Sequence, residues 1–160
     1  MQIIKVGMAD LQVGKDPCMI TTLGLGSCVG ICLYDKTTKI SGMAHIMLPS
    51  SKQARDNTNI AKFADTGIVF LLNCMMKIGA NRSAIVAKLA GGAQMFAFKE
   101  VSDIMRIGDR NVDASKEILS MLKISVLAED VRGNYGRTIE LFSADGKLLI
   151  KTIGHGSKSI

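Results

Sequence analysis

The chain has 160 residues, of which 48% are apolar and 21% charged, a composition typical of a globular protein and not of a disordered one. A chain of this length buries roughly 70% of its unfolded surface, so a core forms without disulfide bonds. The net charge of +6 suits an acidic partner. Five Phe, two Tyr and no Trp offer too few rings for a base-stacking platform, so we expect no nucleic-acid binding.

The strongest apolar stretch, residues 68–76, is interrupted by Asn73 and is far shorter than the ~20 residues of a membrane helix. The first six residues lack the charged start and apolar run of a signal peptide. We therefore expect a cytoplasmic protein without membrane insertion. The four cysteines contain no C-x-x-C pair, and a disulfide framework is not expected in a reducing compartment.

The first predicted elements are two strands and a helix. Residues 29–34 and 40–48 are short apolar runs separated by a polar turn, as in paired strands. Residues 59–78 carry apolar side chains at three- and four-residue steps, which predicts an amphipathic helix. Thr58 or Asn59 is suited to cap its start, and Gly79 to end it.

A second helix is predicted over residues 112–123, with Asn111 as its N-cap. The side chains predicted to share its buried face are Ala114, Ile118, Met121 and Leu122. The helix is flanked by strand-like sequence at residues 84–89 and 124–128.

The clearest hairpin joins residues 137–142 to residues 147–153. Asp145-Gly146 lies at the turn, and this dipeptide tolerates the positive φ angles of a tight turn. Strands dominate both ends of the chain. The pattern predicts an α+β fold with helices packed on a mostly antiparallel sheet or sandwich.

The glycine-rich segment at residues 21–30 is the most informative part of the sequence. Gly24 and Gly26 form the start of a dinucleotide-binding motif, but Val29 stands where the third glycine belongs and no helix pattern follows. Residues 26–30 also resemble a nucleophile elbow, with Cys28 as nucleophile and His155 as base. That interpretation requires a helix after the cysteine, where the sequence predicts a strand.

A metal site at Cys28, Cys32 and His45 is also disfavoured. In an extended strand the two cysteines would lie about 13 Å apart, too far to share a zinc ion. A cysteine nucleophile with a histidine base fits better, because His45 lies in an apolar strand-like run and a histidine base would lower the thiol pKa. The alternatives are a buried structural cysteine and a core histidine.

At these residues the sequence closely resembles the CheD family of chemoreceptor glutamine deamidases. The matching segments are residues 22–28, 45–49, 91–93 and 130–137, and the spacing of Thr22, Cys28 and His45 matches the family's catalytic trio. The resemblance covers residues 3–153 of a single domain spanning residues 1–160, with a C-terminal tail at residues 154–160.

The resemblance implies a β-sandwich-like core with outer helices, similar to the catalytic domain of cytotoxic necrotizing factor toxins. It also implies a cysteine hydrolase without a cofactor that converts glutamines of methyl-accepting chemotaxis receptors to glutamate. Cys28 would be the nucleophile, His45 the base and Thr22 its orienting partner, with backbone N–H groups around Gly26 and Ser27 receiving the oxyanion. The alternative is a non-catalytic protein that regulates a CheC-type phosphatase, which some relatives bind.

One position departs from the family pattern. Arg132 stands where the family often has glycine. We expect it to be an ordinary exposed charge, with a tuned contact to a partner as the alternative.

Overall fold

The computed structural model describes residues 1–95 and 106–160. In those ranges the chain forms ten strands, two α-helices and three short 3₁₀ turns. The strands are β1 (Gln2–Val6), β2 (Asp10–Gly14), β3 (Cys18–Leu25), β4 (Val29–Asp35), β5 (Ser41–Ile46), β6 (Ile85–Gly91), β7 (Val126–Val131), β8 (Arg137–Phe142), β9 (Leu148–Thr152) and β10 (Gly156–Ser159). The helices are α1 (Ala64–Lys77) and α2 (Ile107–Met121), and the 3₁₀ turns are Ser51–Gln53, Ile60–Lys62 and Arg82–Ala84.

The strands form two five-stranded sheets. Sheet A has the order β1-β3-β8-β9-β10, and sheet B has the order β2-β5-β4-β6-β7. The pairs β1–β3 and β6–β7 are parallel, and the other neighbouring strands run antiparallel. The predicted α+β class with a mostly antiparallel, sandwich-like core and helices packed outside is confirmed.

Sheet B is the middle layer of the fold. One of its faces packs against sheet A through residues that include Cys32 and Met43, and the opposite face packs under both helices through residues that include Ile31 and Leu33. All residues of β4 and β5 are buried for this reason. Each fully buried Ile or Leu in these layers contributes roughly 1.5–3 kcal/mol to stability. Strands covered on both faces read as continuous apolar runs, which is how they were predicted.

The first helix is shorter than predicted. It begins at Ala64, because a separate 3₁₀ turn precedes it, and the Asn59 side chain caps that turn by accepting from the Ala61 N–H. Gly79 follows the helix with φ +111°, in agreement with its predicted role as the helix-ending residue. Among the described residues, no helix has the length and apolar character needed to cross a membrane.

The second helix begins earlier than predicted, at Ile107, so Asn111 lies inside it and is not its N-cap. Of the predicted buried face, Ala114, Ile118 and Leu122 are partly buried and pack against the core, but Met121 does not. Met121 is 71% exposed, and the buried positions of α2 are Gly108, Asn111, Val112, Ser115 and Leu119. The early start explains the error at Asn111, whereas Met121 is the last residue of α2 and lies off the stripe of its buried positions.

The C-terminal hairpin of β8 and β9 is confirmed, and Gly146 in its turn has φ +77°. Residues 154–160 were predicted to follow the last strand as a tail. Instead they include β10, which pairs antiparallel with β9 and extends sheet A. The strand was not predicted because β10 has a polar sequence, and its four residues are all exposed at the edge of the sheet.

Candidate active site

Cys28 lies where the chain crosses from sheet A to sheet B. It immediately precedes β4, and its side chain belongs to the apolar cluster between the sheets. Residues alternate between the two faces of a strand, so Cys28 shares its face with Gly30 and Cys32. Only 8% of the residue is exposed. The thiol therefore lies between the sheets with a small accessible edge.

Backbone hydrogen bonds hold the Cys28 loop against the end of β6. The N–H of Gly92 donates to the Cys28 carbonyl at 2.8 Å, and the N–H of Ala93 donates to the Gly26 carbonyl at 2.8 Å. A Cβ atom on Gly91 would overlap the Cys28 carbonyl oxygen, and Gly91 has φ +108°. This close approach therefore requires glycine, and residues 91–93 support the loop that carries the thiol.

The loop before Cys28 contains the residues expected to line an oxyanion site. Gly26 and Ser27 are both half-buried. The Gly26 N–H donates to the Gly24 carbonyl at 3.0 Å, so it is already used within the loop. The amides of Ser27 and Cys28 are therefore better candidates for oxyanion donors than that of Gly26.

His45 lies on the strand next to Cys28. The antiparallel pairing of β4 with β5 sets His45 directly opposite Gly30. Opposite residues project from the same face of a sheet, and Cys28 is therefore diagonal to His45 on that face. Gly30 places no side chain between them.

Thr22 contacts the imidazole from sheet A. Its Oγ1 lies 2.7 Å from Nδ1 of His45, and it donates its own proton to the Val6 carbonyl at 2.7 Å. A hydroxyl has a single proton, so Oγ1 accepts from Nδ1–H of the ring. Nδ1 therefore carries the proton and Nε2 keeps its lone pair. Both Thr22 and His45 are 1% exposed, so bulk water does not compete for this bond.

Burial makes the neutral forms of both groups more stable. It raises the pKa of the Cys28 thiol, an effect partly opposed by the backbone N–H of Cys28, and it lowers the pKa of His45. The sequence suggested that His45 would lower the thiol pKa, whereas these directions favour a neutral thiol beside a neutral imidazole. Nε2 of His45 is buried, and none of the described residues bonds it. It is free to accept a proton.

The sequence matches known proteins over nearly its full length. Residues 47–152 match the family model described as CheD, chemotactic sensory transduction. A protein of Caldanaerobacter subterraneus subsp. tengcongensis is 60% identical over 99% of this chain and 98% of its own length. Proteins of Lachnoclostridium phytofermentans and Syntrophomonas wolfei are 57% and 54% identical over 99% of both chains. All three are named probable chemoreceptor glutamine deamidase CheD.

The chain belongs to the CheD family. The CheD family model begins after His45, whereas the alignments to the three CheD relatives span 159 residues and include the positions of Thr22, Cys28 and His45. Among solved structures, the chain is similar to a hypothetical protein YfiH of Bacillus licheniformis. That similarity has a TM-score of 0.48 and 15% identity, and it covers 76% of this chain and 49% of the other.

Arg132 is not the unpaired exposed charge that was expected. Its guanidinium bonds Asp109 at 2.7 Å and Asp113 at 2.9 Å, both on α2. Its backbone N–H donates to the Gly91 carbonyl, and its φ is +71°. Arg132 therefore links α2 to the end of β6, the segment that supports the Cys28 loop in this CheD chain.

Asn111 is a site residue that the sequence analysis missed. It is buried on α2, and its side-chain amide donates to the Ser27 carbonyl at 3.0 Å and to the Met47 carbonyl at 2.9 Å. The signal that could have revealed it is the Asn111–Ser115 pair. These two polar residues are one helical turn apart and lie on the same face as the apolar Leu119. Such spacing indicates polar side chains buried within the apolar face of an amphipathic helix.

His155, the alternative base, lies in the turn between β9 and β10 and is exposed. Its ring stacks on Tyr135 with centroids 4.3 Å apart and an interplanar angle of 27°. The Tyr135 ring also lies 4.5 Å from the guanidinium carbon of Arg137. Across residues 1–95 and 106–160, no hydrogen bond joins the His155 ring to Cys28. The same ranges contain no group of three or more His, Cys, Asp or Glu side chains placed to hold a metal ion.

Proposed function

We propose that this chain is a chemoreceptor glutamine deamidase. It hydrolyses glutamine side chains of methyl-accepting receptors to glutamate and releases ammonia, as part of chemotactic adaptation. The observation that carries the proposal is the Thr22–His45 hydrogen bond, which fixes a buried imidazole with Nε2 unprotonated, on the face that also bears Cys28. The names of relatives 54–60% identical to the chain support the same activity.

In the first half of the proposed reaction, Nε2 of His45 takes the proton of the Cys28 thiol as the sulfur attacks the amide carbon of the substrate glutamine. A carbon–sulfur bond forms, and the amide oxygen becomes an oxyanion that the Ser27 and Cys28 amides stabilise. The imidazolium then gives its proton to the amide nitrogen. The carbon–nitrogen bond breaks, ammonia leaves, and a thioester remains.

In the second half, His45 removes a proton from a water molecule as the water oxygen attacks the thioester carbon. The carbon–sulfur bond breaks, the sulfur recovers its proton from the imidazolium, and the product is glutamate. The sum is the hydrolysis of one amide by one water molecule. No cofactor takes part in any step.

Thr22 acts through the imidazole in this scheme. Its hydroxyl is neutral, so it stabilises the imidazolium less than a carboxylate would. Its contribution is the orientation of the ring and the choice of tautomer, because its own proton is used by the Val6 carbonyl.

The proposed partners are the cytoplasmic domains of chemotaxis receptors, so the proposed location is the cytoplasm. The net charge of +6 supports an acidic partner, since receptor signalling helices rich in glutamate would attract a basic enzyme and speed their encounter. A CheC-type phosphatase is proposed as a second partner that competes for the same surface.

The direct test is to incubate the protein with cytoplasmic fragments of receptors from its own organism and to measure their intact and peptide masses. Each glutamine hydrolysed through the thiol adds about 1 Da to the fragment. Several cognate receptors without a mass gain, together with tight binding to a CheC-type phosphatase, would instead support the non-catalytic alternative.

Cys28→Ala and Cys32→Ala form a matched pair for this assay. Both thiols project from the same face of the β4 segment, four residues apart, and belong to the same apolar cluster. Cys28→Ala removes the group that forms the thioester, so the mass gain disappears. Cys32→Ala loses similar packing and keeps the nucleophile, so the mass gain remains. Equal activity in the two variants would contradict the covalent mechanism.

A further inference from the structure

Asn111 bonds both halves of the proposed site at once. Its amide nitrogen donates to the carbonyl of Ser27, the residue before the nucleophile, and to the carbonyl of Met47, two residues after His45. These carbonyls belong to the chain segments that enter β4 and leave β5. One side chain on α2 therefore ties the Cys28 segment to the His45 segment at the end of the strand pair.

The bond to Ser27 also orients the next peptide group. In a trans peptide the C=O and the following N–H point in opposite directions. Because the Ser27 carbonyl faces Asn111, the Cys28 N–H points away from α2. Holding the Ser27 carbonyl thus fixes the direction of the Cys28 N–H, which partly opposes the rise of the thiol pKa.

The amide of Asn111 is used only as a donor. Both of its N–H groups are bonded, and its Oδ1 atom is buried without a partner among the described residues. A buried acceptor left unbonded costs about 1–3 kcal/mol. An apolar residue would avoid that cost, so the two donated bonds are the feature that favours an amide at this position.

We propose that Asn111 is a positioning residue for the Cys28–His45 pair. Asn111 sets the direction of the Ser27–Cys28 peptide group and the distance between that peptide group and the end of β5. The role in catalysis rests on the proposed deamidase function. The role in positioning the thiol does not, because it follows from the two hydrogen bonds alone. Asn111 acts through these two carbonyls and bonds neither the Cys28 sulfur nor the His45 imidazole.

The test compares Asn111→Ala, Asn111→Asp and Ser115→Ala. Asn111→Asp has nearly the same shape but replaces the donor group with an acceptor facing two carbonyls. Ser115→Ala is the control, because the Ser115 hydroxyl is also buried on α2 and donates only to the helix backbone, at the Asn111 carbonyl. Two readouts are measured on each protein: the rate of Cys28 alkylation by iodoacetamide against pH, and kcat and KM for a receptor fragment.

Both Asn111 variants are expected to raise the apparent pKa of Cys28 alkylation and to lower kcat on the order of 100-fold with KM unchanged. Ser115→Ala is expected to match the wild type in both readouts. Alkylation profiles of the Asn111 variants that match Ser115→Ala would overturn the proposal. So would the failure of both Asn111 variants to fold by circular dichroism, since Asn111 would then be required by the fold itself. If the wild type does not deamidate receptors, the proposed function fails, and the alkylation profiles still decide whether Asn111 positions Cys28.

Discussion

Thr22 and His45 join the two sheets of the sandwich at the candidate site. The Oγ1 atom of Thr22 lies 2.7 Å from Nδ1 of His45, and the hydroxyl proton is committed to the Val6 carbonyl. The hydroxyl therefore acts only as an acceptor for the ring. This arrangement selects the tautomer whose free Nε2 is needed by a general base.

Thr22→Ala is expected to lower kcat by about 10- to 100-fold, less than His45→Ala, since a ring that loses its orienting partner still contains the base. The free energy of unfolding should fall by about 1–3 kcal/mol, because the buried Nδ1–H and the Val6 carbonyl both lose a partner. Steady-state kinetics and urea denaturation measure the two effects. Thr22→Ser keeps the hydroxyl and should stay close to the wild type. If Thr22→Ala is as inactive as His45→Ala while folded, Thr22 has a role beyond orientation.

The directions of the two pKa shifts predict the pH dependence of kcat/KM. Burial lowers the pKa of His45 from its ordinary 6.5 and raises that of Cys28 from 9.0. The active pair, a neutral imidazole and a neutral thiol, is therefore present across the whole interval between these values. We expect activity to be flat from pH 6.5 to 9.0 and to decline on the acid side only below 6.5. An acid limb above pH 6.5 would indicate that the resting pair is a thiolate and an imidazolium.

Because the Cys32 thiol is buried, we expect the protein to lose stability in alkaline solution. Burial raises the pKa of this thiol to about 12, with the charge of Lys88 acting in the opposite direction. Above pH 9 the unfolded chain releases the thiol proton and the folded chain retains it, so stability is present below pH 9 and is lost as the pH rises towards 12. The loss attributable to Cys32 is at most about 1.4 kcal/mol per pH unit. Urea denaturation at pH 8 and pH 10 should show a smaller decline for Cys32→Ala than for the wild type. Equal declines would mean that Cys32 ionises in the folded protein.

Local patterns in the sequence predicted the elements whose structure is set by nearby residues. The β8–β9 hairpin follows from the turn at Gly146, and the buried β4 strand from its apolar run. Asn111 was misread because a polar residue near the start of an apolar pattern is a typical N-cap, and its actual partners, Ser27 and Met47, are distant in the chain. β10 was missed because an exposed edge strand needs no apolar alternation.

In the candidate site, too, the features set by local sequence could be predicted and those set by distant residues could not. The glycine-rich segment and the spacing of Cys28 and His45 indicated candidate reactive residues through their resemblance to a family. The protonation states could not be read in this way, because they depend on burial between two sheets. The pairing of Arg132 with α2 was equally out of reach, since it depends on a turn that brings β7 beside the helix.

His155→Ala is expected to retain activity within about twofold of the wild type, because a general base must lie within hydrogen-bond reach of its nucleophile and His155 is an exposed residue stacked on Tyr135. Loss of the stacking should lower stability by at most about 0.5–1.5 kcal/mol. His155→Phe keeps an aromatic ring at the position and should recover that loss. Iodoacetamide alkylation of Cys28 against pH provides the decisive comparison. A raised thiol pKa in His155→Ala together with an unchanged one in His45→Ala would assign the base to His155.

Arg132 allows backbone strain and ion pairing to be separated. Its φ of +71° costs a non-glycine residue roughly 1–2 kcal/mol. Its pairs with Asp109 and Asp113 are partly exposed, so each contributes about 0–1 kcal/mol at low salt. Arg132→Gly loses the pairs and relieves the strain, and it should unfold at nearly the same urea concentration as the wild type. Arg132→Ala loses the pairs and keeps the strain, and it should be about 1 kcal/mol less stable than Arg132→Gly.

Salt distinguishes these two contributions further. High ionic strength screens the exposed pairs of the wild type and leaves the backbone strain unchanged. In 1 M sodium chloride, an ionic strength at which charges are screened within about 3 Å, Arg132→Gly should therefore become more stable than the wild type, while Arg132→Ala should approach it from below. If Arg132→Gly and Arg132→Ala are equally stable at both salt concentrations, the left-handed backbone at this position carries no strain, and the ion pairs with α2 are the only contribution of the Arg132 side chain to stability.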